Sequence, residues 1–130
     1  MSGVRSFDYY VNRFMEGVSY TKNIDYGDRR SVSKNNQGVD MYRKAAKSIG
    51  KYYPEKTDMF ARILDSADKD ERETCAYCII EFMNPDKQTR EHCLRIIKEK
   101  AMYGDSVDRT LVKYWLTQHA PEELGDDAQE

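Results

Sequence analysis

The spacing of apolar residues constrains the fold of this chain more than any other feature of its sequence. Through most of residues 7–116 these residues recur at every third or fourth position, which is the repeat of an amphipathic helix. The first such segment follows Ser6, a good N-cap residue, and runs from Phe7 to Val18. No segment alternates apolar and polar residues as a strand does, so the chain is predicted to be all-α.

About six helices are predicted. The polar residues 23–37 interrupt the pattern and are predicted to form a loop, and a second helix follows over residues 39–53. Pro54 is expected to end this helix, because a proline disfavours the helical conformation of the residue before it. The other four are a short helix around residues 57–64, one over 69–83, one from Pro85 to a C-cap at Gly104, and one capped by Ser106.

The segment from Leu64 to Ala76 carries a resemblance to a known family. This segment resembles the turn inside a HEAT-like repeat. Leu64 and Asp65 are followed by a short turn, by Arg72 and by the small residue Ala76. The wider pattern, with Phe14, residues 27–28 and residues 96–97, resembles a family of small, uncharacterised bacterial HEAT-like (armadillo-type) domains. The chain departs from the repeat pattern at one position, where Glu71 stands in place of the usual valine. The resemblance implies stacked antiparallel hairpins that form a right-handed HEAT/ARM-like superhelix.

Length and charge set the class of protein. A chain of 130 residues is expected to form one domain, here residues 1–120, with residues 121–130 as an acidic flexible tail. Three cysteines and the lack of an apolar leader or membrane-length segment predict a cytoplasmic protein with no membrane partner. The net charge is +5 up to Thr57 and −7 from Asp58 onward, which favours a charge-complementary protein partner.

A Cys-x-x-Cys pair, Cys75 and Cys78, is the one arrangement that suggests metal or redox chemistry. Only His92, Cys93 and His119 could complete a zinc site, and adjacent residues of a helix diverge by about 100°. The same divergence argues against Cys93 and His92 as a nucleophile and its base. Core packing of the cysteines is therefore the favoured interpretation, and we predict no metal, no cofactor, no catalytic residue and no small-molecule substrate.

The resemblance also implies a binding surface, because the second helix of each HEAT-like hairpin lines the concave face. By that resemblance, an acidic and aromatic groove is lined by two helices, the fourth and the sixth. Its predicted partner-binding residues are Glu73, Tyr77, Glu81, Tyr114 and Gln118. Tyrosine, of which the chain has 10, is enriched at protein interfaces. Ordinary helix surface is the alternative interpretation of these five residues.

These features predict a non-enzymatic protein–protein interaction domain, and the most specific hypothesis is a bacterial immunity protein that neutralises a nuclease-type toxin. One alternative is a HEAT-like nucleic-acid-binding protein that uses a basic face on the second helix, formed by Arg43, Lys44, Lys47 and Lys51. The sequence pI of about 5.8 weighs against nucleic acid. A further alternative is a structural module that oligomerises through an exposed apolar end of the stack.

Overall fold

The computed structural model describes residues 3–124, and within that range every regular element is a helix. The prediction of an all-α chain with six helices is confirmed. The HEAT-like superhelix and the family resemblance stay predictions. The α-helices are α1 (Phe7–Tyr20), α2 (Arg29–Tyr52), α3 (Thr57–Phe60), α4 (Lys69–Phe82), α5 (Lys87–Tyr103) and α6 (Ser106–His119). Two short 3-10 helices, Pro54–Lys56 and Ala61–Asp65, flank α3.

Each of the five long helices begins after a side chain that accepts a hydrogen bond from a backbone N–H of the first turn. The cap is Ser6 for α1, as predicted, and an aspartate for the other four, namely Asp28, Asp68, Asp86 and Asp105. Two predicted starts are therefore wrong by one or two residues, since Pro85 precedes the cap of α5 and Ser106 is the first residue of α6. A carboxylate is favoured at these positions because it also opposes the positive end of the helix dipole.

The predicted loop over residues 23–37 is wrong beyond residue 28. The turn between α1 and α2 occupies only residues 21–28, with Asn23 in the left-handed conformation at φ 57°. Residues 29–37 belong to α2 although they have no continuous apolar face. The Asp28 side chain accepts a hydrogen bond from the Arg30 N–H at 2.9 Å, and adding turns to an existing helix costs little compared with starting one.

The helices share one core. Phe14 of α1 lies at its centre, edge-on to Phe60 of α3 at 4.9 Å between ring centroids, and it is fully buried. Helix α1 packs along α2, α2 and α5 both pack against α4, and α6 packs against α5. The largest fully buried aliphatic side chains of these elements are Val18, Ile49, Ile79, Ile97 and Val112.

The three cysteines are core residues, as predicted for Cys75 and Cys78, and none takes part in a disulfide. Burial raises the pKa of all three thiols, in the case of Cys93 to about 12. They are therefore uncharged at neutral pH, as small apolar side chains in a core should be. None of the helices within residues 3–124 combines the length and the apolar composition that crossing a bilayer requires.

The first four residues of the predicted tail have a defined position. Residues 121–124 form a 3-10 turn, and Leu124 packs against the core. Glu122 forms an ion pair with Arg90, and Glu123 forms one with Lys98, so that this turn is held along α5. The rest of the predicted flexible tail, residues 125–130, lies outside the described residues.

Candidate functional site

A cleft of about 300 Å³ lies where α2, α4, α5 and α6 approach one another. We call it the acidic cleft. Six of its lining residues supply the charged groups and aromatic rings considered below, and they come from all four helices. They are Arg43, Glu73, Tyr77, Glu81, Lys100 and Trp115.

Helix α4 contributes six of the residues that line the cleft, and three of them are spaced four residues apart. Glu73, Tyr77 and Glu81 therefore lie one turn apart on the same side of the helix. The adjacent side of α4, with Cys75 and Ile79, is buried in the core, which fixes the direction in which the cleft side points. The two carboxylate side chains are only 13% and 12% exposed, so most of each is withdrawn from water.

Glu81 joins three helices through one carboxylate. Its Oε1 is 3.2 Å from Nη2 of Arg43, which donates a hydrogen bond, and 3.9 Å from Nε2 of His119. Its Oε2 accepts a hydrogen bond of 3.3 Å from the indole Nε1 of Trp115. Arg43 also stacks on the ring of Phe82, with 4.9 Å between the guanidinium carbon and the ring centroid. The Glu81 carboxylate is therefore well satisfied inside the protein.

Glu73 has looser partners. The ammonium groups of Lys69 and Lys100 lie 3.7 and 3.6 Å from its two carboxylate oxygens, too far for a hydrogen bond. Both distances are compatible with an ion pair. The Glu73 carboxylate therefore keeps lone pairs that a nearer donor could use.

Two aromatic side chains form the wall between these carboxylates. The rings of Tyr77 and Trp115 meet edge to face, with centroids 4.9 Å apart. The ring of His119 lies beside the same indole, also at 4.9 Å. Burial, and then the nearby Glu73 charge, raise the pKa of Tyr77 to about 12, so its phenol is neutral under physiological conditions.

The structure brings together three of the five predicted groove residues. Tyr114 is 67% exposed and points away from the cleft, and Gln118 is also exposed outside it. The α6 residue that enters the cleft is Trp115. Neighbouring residues of a helix differ in direction by about 100°, so a shift of one position exchanges the cleft for the outer surface. Sequence reasoning missed Trp115 and Lys100, although the spacing of Trp115 and His119 indicates an aromatic pair on one face.

The four residues of the predicted basic face are exposed on α2, but most have partners within the chain. Arg43 is held by Glu81, Lys44 lies 3.4 Å from Asp40, and Lys51 lies over the ring of Tyr52 at 5.2 Å. Among the described residues, Lys47 has neither an ion-pair nor an aromatic partner. The basic face is therefore present, but three of its four cationic groups already have partners within the chain.

The cleft thus offers carboxylate acceptors beside aromatic rings, which together suit a cationic group. Within residues 3–124, no group of three or more His, Cys, Asp or Glu side chains is arranged to hold a metal ion. In comparisons with known proteins, no family model, curated protein or solved structure matches this chain.

Proposed function

We propose that this chain is a protein-binding domain whose acidic cleft receives a basic side chain of a partner protein. The observation that carries the proposal is the pair of largely buried carboxylates, Glu73 and Glu81, on either side of Tyr77 and Trp115. A guanidinium or ammonium group placed there gains an ion pair and an aromatic face at once. Both interactions are stronger in a cleft that is partly shielded from water.

The cationic residues of this chain that pair with Glu73 and Glu81 can be displaced by a basic side chain of a partner. Lys69 and Lys100 are not hydrogen-bonded to Glu73, so an incoming donor at a shorter distance forms the better contact. Arg43 is 45% exposed and can turn toward solvent while a partner's arginine takes its place at Glu81. The binding reaction exchanges cations and leaves neither carboxylate without a partner.

The more specific form of the proposal is an immunity protein that neutralises a nuclease-type toxin without catalysing a reaction. Nucleases present basic surfaces to their substrate, and the half of this chain that forms most of the cleft carries a net charge of −7. Complementary charge of this kind accelerates association and selects against acidic partners.

The single tryptophan of the chain provides a direct test, since Trp115 lies in the cleft wall. Titration with a short arginine-rich peptide should shift the tryptophan emission, whereas a glutamate-rich peptide of equal length should not. Glu73→Gln combined with Glu81→Gln should weaken the response by about tenfold or more, which corresponds to the loss of charge-assisted contacts. Glu91→Gln, an exposed acid on α5, is the matched control and should leave the response unchanged.

A second experiment tests the partner class. Immobilised wild-type chain is used to capture proteins from a lysate of the source cells, beside the Glu73→Gln/Glu81→Gln variant and the Glu91→Gln control. A basic protein retained by the control and lost by the cleft variant supports the proposal, and inhibition of its nuclease activity supports the immunity form. Capture that is equal on all three proteins contradicts the assignment of the cleft.

The basic face of α2 supports one second candidate function, nucleic-acid binding, because Lys44, Lys47 and Lys51 are all exposed along one side of the helix. Fluorescence polarisation with labelled DNA and RNA would test it. Affinity that falls steeply with salt, and is lost in Lys44→Glu combined with Lys47→Glu, supports this candidate. Salt-independent or undetectable binding removes it.

A further inference from the structure

Helix α6 carries a stripe of large apolar side chains on its outer surface. Val107, Leu111 and Tyr114 are 61%, 60% and 67% exposed. Their spacings of four and three residues place them on one face of the helix, and the exposed Gln118 continues that line. We call these four residues the α6 stripe. Its direction is well separated from that of Val112 and Leu116, which attach α6 to the core.

Nothing in the described part of the chain covers the α6 stripe. Helix α6 packs on α5 through its buried side and meets α4 through Trp115. A row of neighbouring exposed apolar residues on one helix differs from the single exposed residues found on most surfaces, and marks an interaction site. The stripe lies outside the acidic cleft and is independent of the proposed function.

The composition of the stripe is suited to packing against itself. Leu111 lies near its middle, with the smaller Val107 four residues before it and the larger Tyr114 three residues after it. In an antiparallel pair centred on Leu111, each Val107 faces the Tyr114 end of the other helix, so small and large side chains alternate across the contact. At about 100° per residue, the cationic residues of the helix, Arg109 and Lys113, point about 170° and about 130° away from the centre of the stripe, and no like charges are forced together.

The available area is sufficient for a reversible dimer. At their exposed fractions the three apolar side chains present on the order of 350 Å² per copy, and a pair covers roughly 700 Å² with these alone. The polar rim, with Thr110 and Gln118, brings the total to about 1,000 Å², at the low end for specific interfaces. Interfaces of this size are typical of weak, reversible association.

We propose that the α6 stripe is the interface of a symmetric dimer, in which α6 of a second copy of this chain packs antiparallel with Leu111 at the two-fold axis. A symmetric pair uses the same patch on both copies, and it leaves no stripe exposed for further growth.

Sedimentation equilibrium of the full chain between about 1 and 200 µM tests the proposal. The wild type should shift from monomer to dimer within this range, and Leu111→Glu and Leu111→Lys should each be monomeric, because like charges would meet at the axis. An equimolar mixture of these two variants should form dimers again, since opposite charges then face each other. Lys113→Glu, on the same helix but away from the stripe, should behave as the wild type.

Dimer formation in the mixture of the two variants is expected only if residue 111 of one copy contacts residue 111 of the other. Both variants change a side chain that is 60% exposed, and circular dichroism should show unchanged helix content and unfolding. A wild type that stays monomeric throughout the range overturns the proposal. Dimers that persist in both single variants, or a mixture that stays monomeric, overturn the two-fold arrangement at Leu111.

Discussion

Helices α1 and α2 meet in a different way from α4 and α6. At the α1–α2 crossing, Gly17 faces Gly38 so closely that a Cβ on Gly38 would lie 2.5 Å from the Gly17 carbonyl oxygen. At the α4–α6 contact, Tyr77 and Trp115 keep the helices apart and leave a cleft of about 300 Å³. Small residues let two backbones approach closely and leave no space between the helices for a bound group. Large side chains with polar atoms hold helices apart and direct those atoms into the gap, which is how this fold forms a binding site.

The largest effect on stability is expected where Gly17 of α1 faces Gly38 of α2. Gly38→Val would place side-chain atoms within the backbone of α1, and neither helix can move away without opening the core. We expect the free energy of unfolding to fall by about 3 kcal/mol, a large share of the total stability of a domain of this size. Urea denaturation followed by far-UV circular dichroism measures this change.

Gly3→Val is the matched control, because an added side chain at Gly3 meets no atom within 4 Å. Its unfolding free energy should stay within about 0.5 kcal/mol of the wild-type value. Equal stability of Gly38→Val and Gly3→Val would show that α1 and α2 are not in backbone contact.

An intermediate effect on stability is expected at the contact between Tyr77 and Trp115. Trp115→Ala removes the indole from Tyr77 and leaves Oε2 of Glu81 without its donor, and we expect a loss of about 2 kcal/mol. Trp115→Phe keeps a ring and loses only the hydrogen bond, so its loss should be about 1 kcal/mol. Urea denaturation followed by circular dichroism compares the two variants, because both lack the tryptophan signal.

The next residue of α6 supplies the control for this comparison. Tyr114→Ala changes a side chain that is 67% exposed, and at low protein concentration it should alter stability by less than about 0.5 kcal/mol. A loss in Tyr114→Ala that equals the loss in Trp115→Ala would mean that the cleft wall has been assigned to the wrong side of α6.

The effect with the narrowest range of conditions is the alkaline pH dependence that Tyr77 introduces, which appears only above about pH 10. Its folded-state pKa of about 12 lies above the ordinary value of 10.0, so the unfolded chain releases this proton first as the pH rises. The stabilisation is fully present below pH 10 and is lost as the pH rises through about 12. Tyr77→Phe should therefore show a smaller decline in unfolding free energy between pH 10 and 12 than the wild type.

The three buried thiols also have raised pKa values and contribute a decline of the same sign in both proteins. The difference between the Tyr77→Phe and wild-type curves isolates the phenol. Parallel curves over this pH range would show that Tyr77 is not shielded from water.

Apolar periodicity was enough to predict the helices that bury a stripe of their own, and α1 with its Ser6 cap is the clearest case. It failed for residues 29–37, which are helical without a continuous apolar face and depend on the Asp28 cap and on the rest of α2. The starts of α5 and α6 were misplaced because serine, proline and aspartate all suit a first turn. The local sequence does not rank these choices.

The candidate site could be predicted only on the helix whose direction is fixed by a strong core side. On α4 the buried Cys75 and Ile79 set the direction, and Glu73, Tyr77 and Glu81 do lie together. On α6 the exposed Val107 and Leu111 have the spacing of core residues, and the prediction selected Tyr114 in place of Trp115. The contributions of Arg43 and Lys100 depend on how α2 and α5 approach α4, which is a tertiary property.

The buried cysteines have a practical consequence for labelling. Because Cys75, Cys78 and Cys93 are uncharged and enclosed, thiol reagents should leave them unmodified in the folded chain. A single cysteine introduced at the exposed Glu91 of α5 would then be the one reactive thiol among the described residues, with no need to replace the native three. A spin label or fluorophore at that position could report distances between copies of the chain in an otherwise unaltered core.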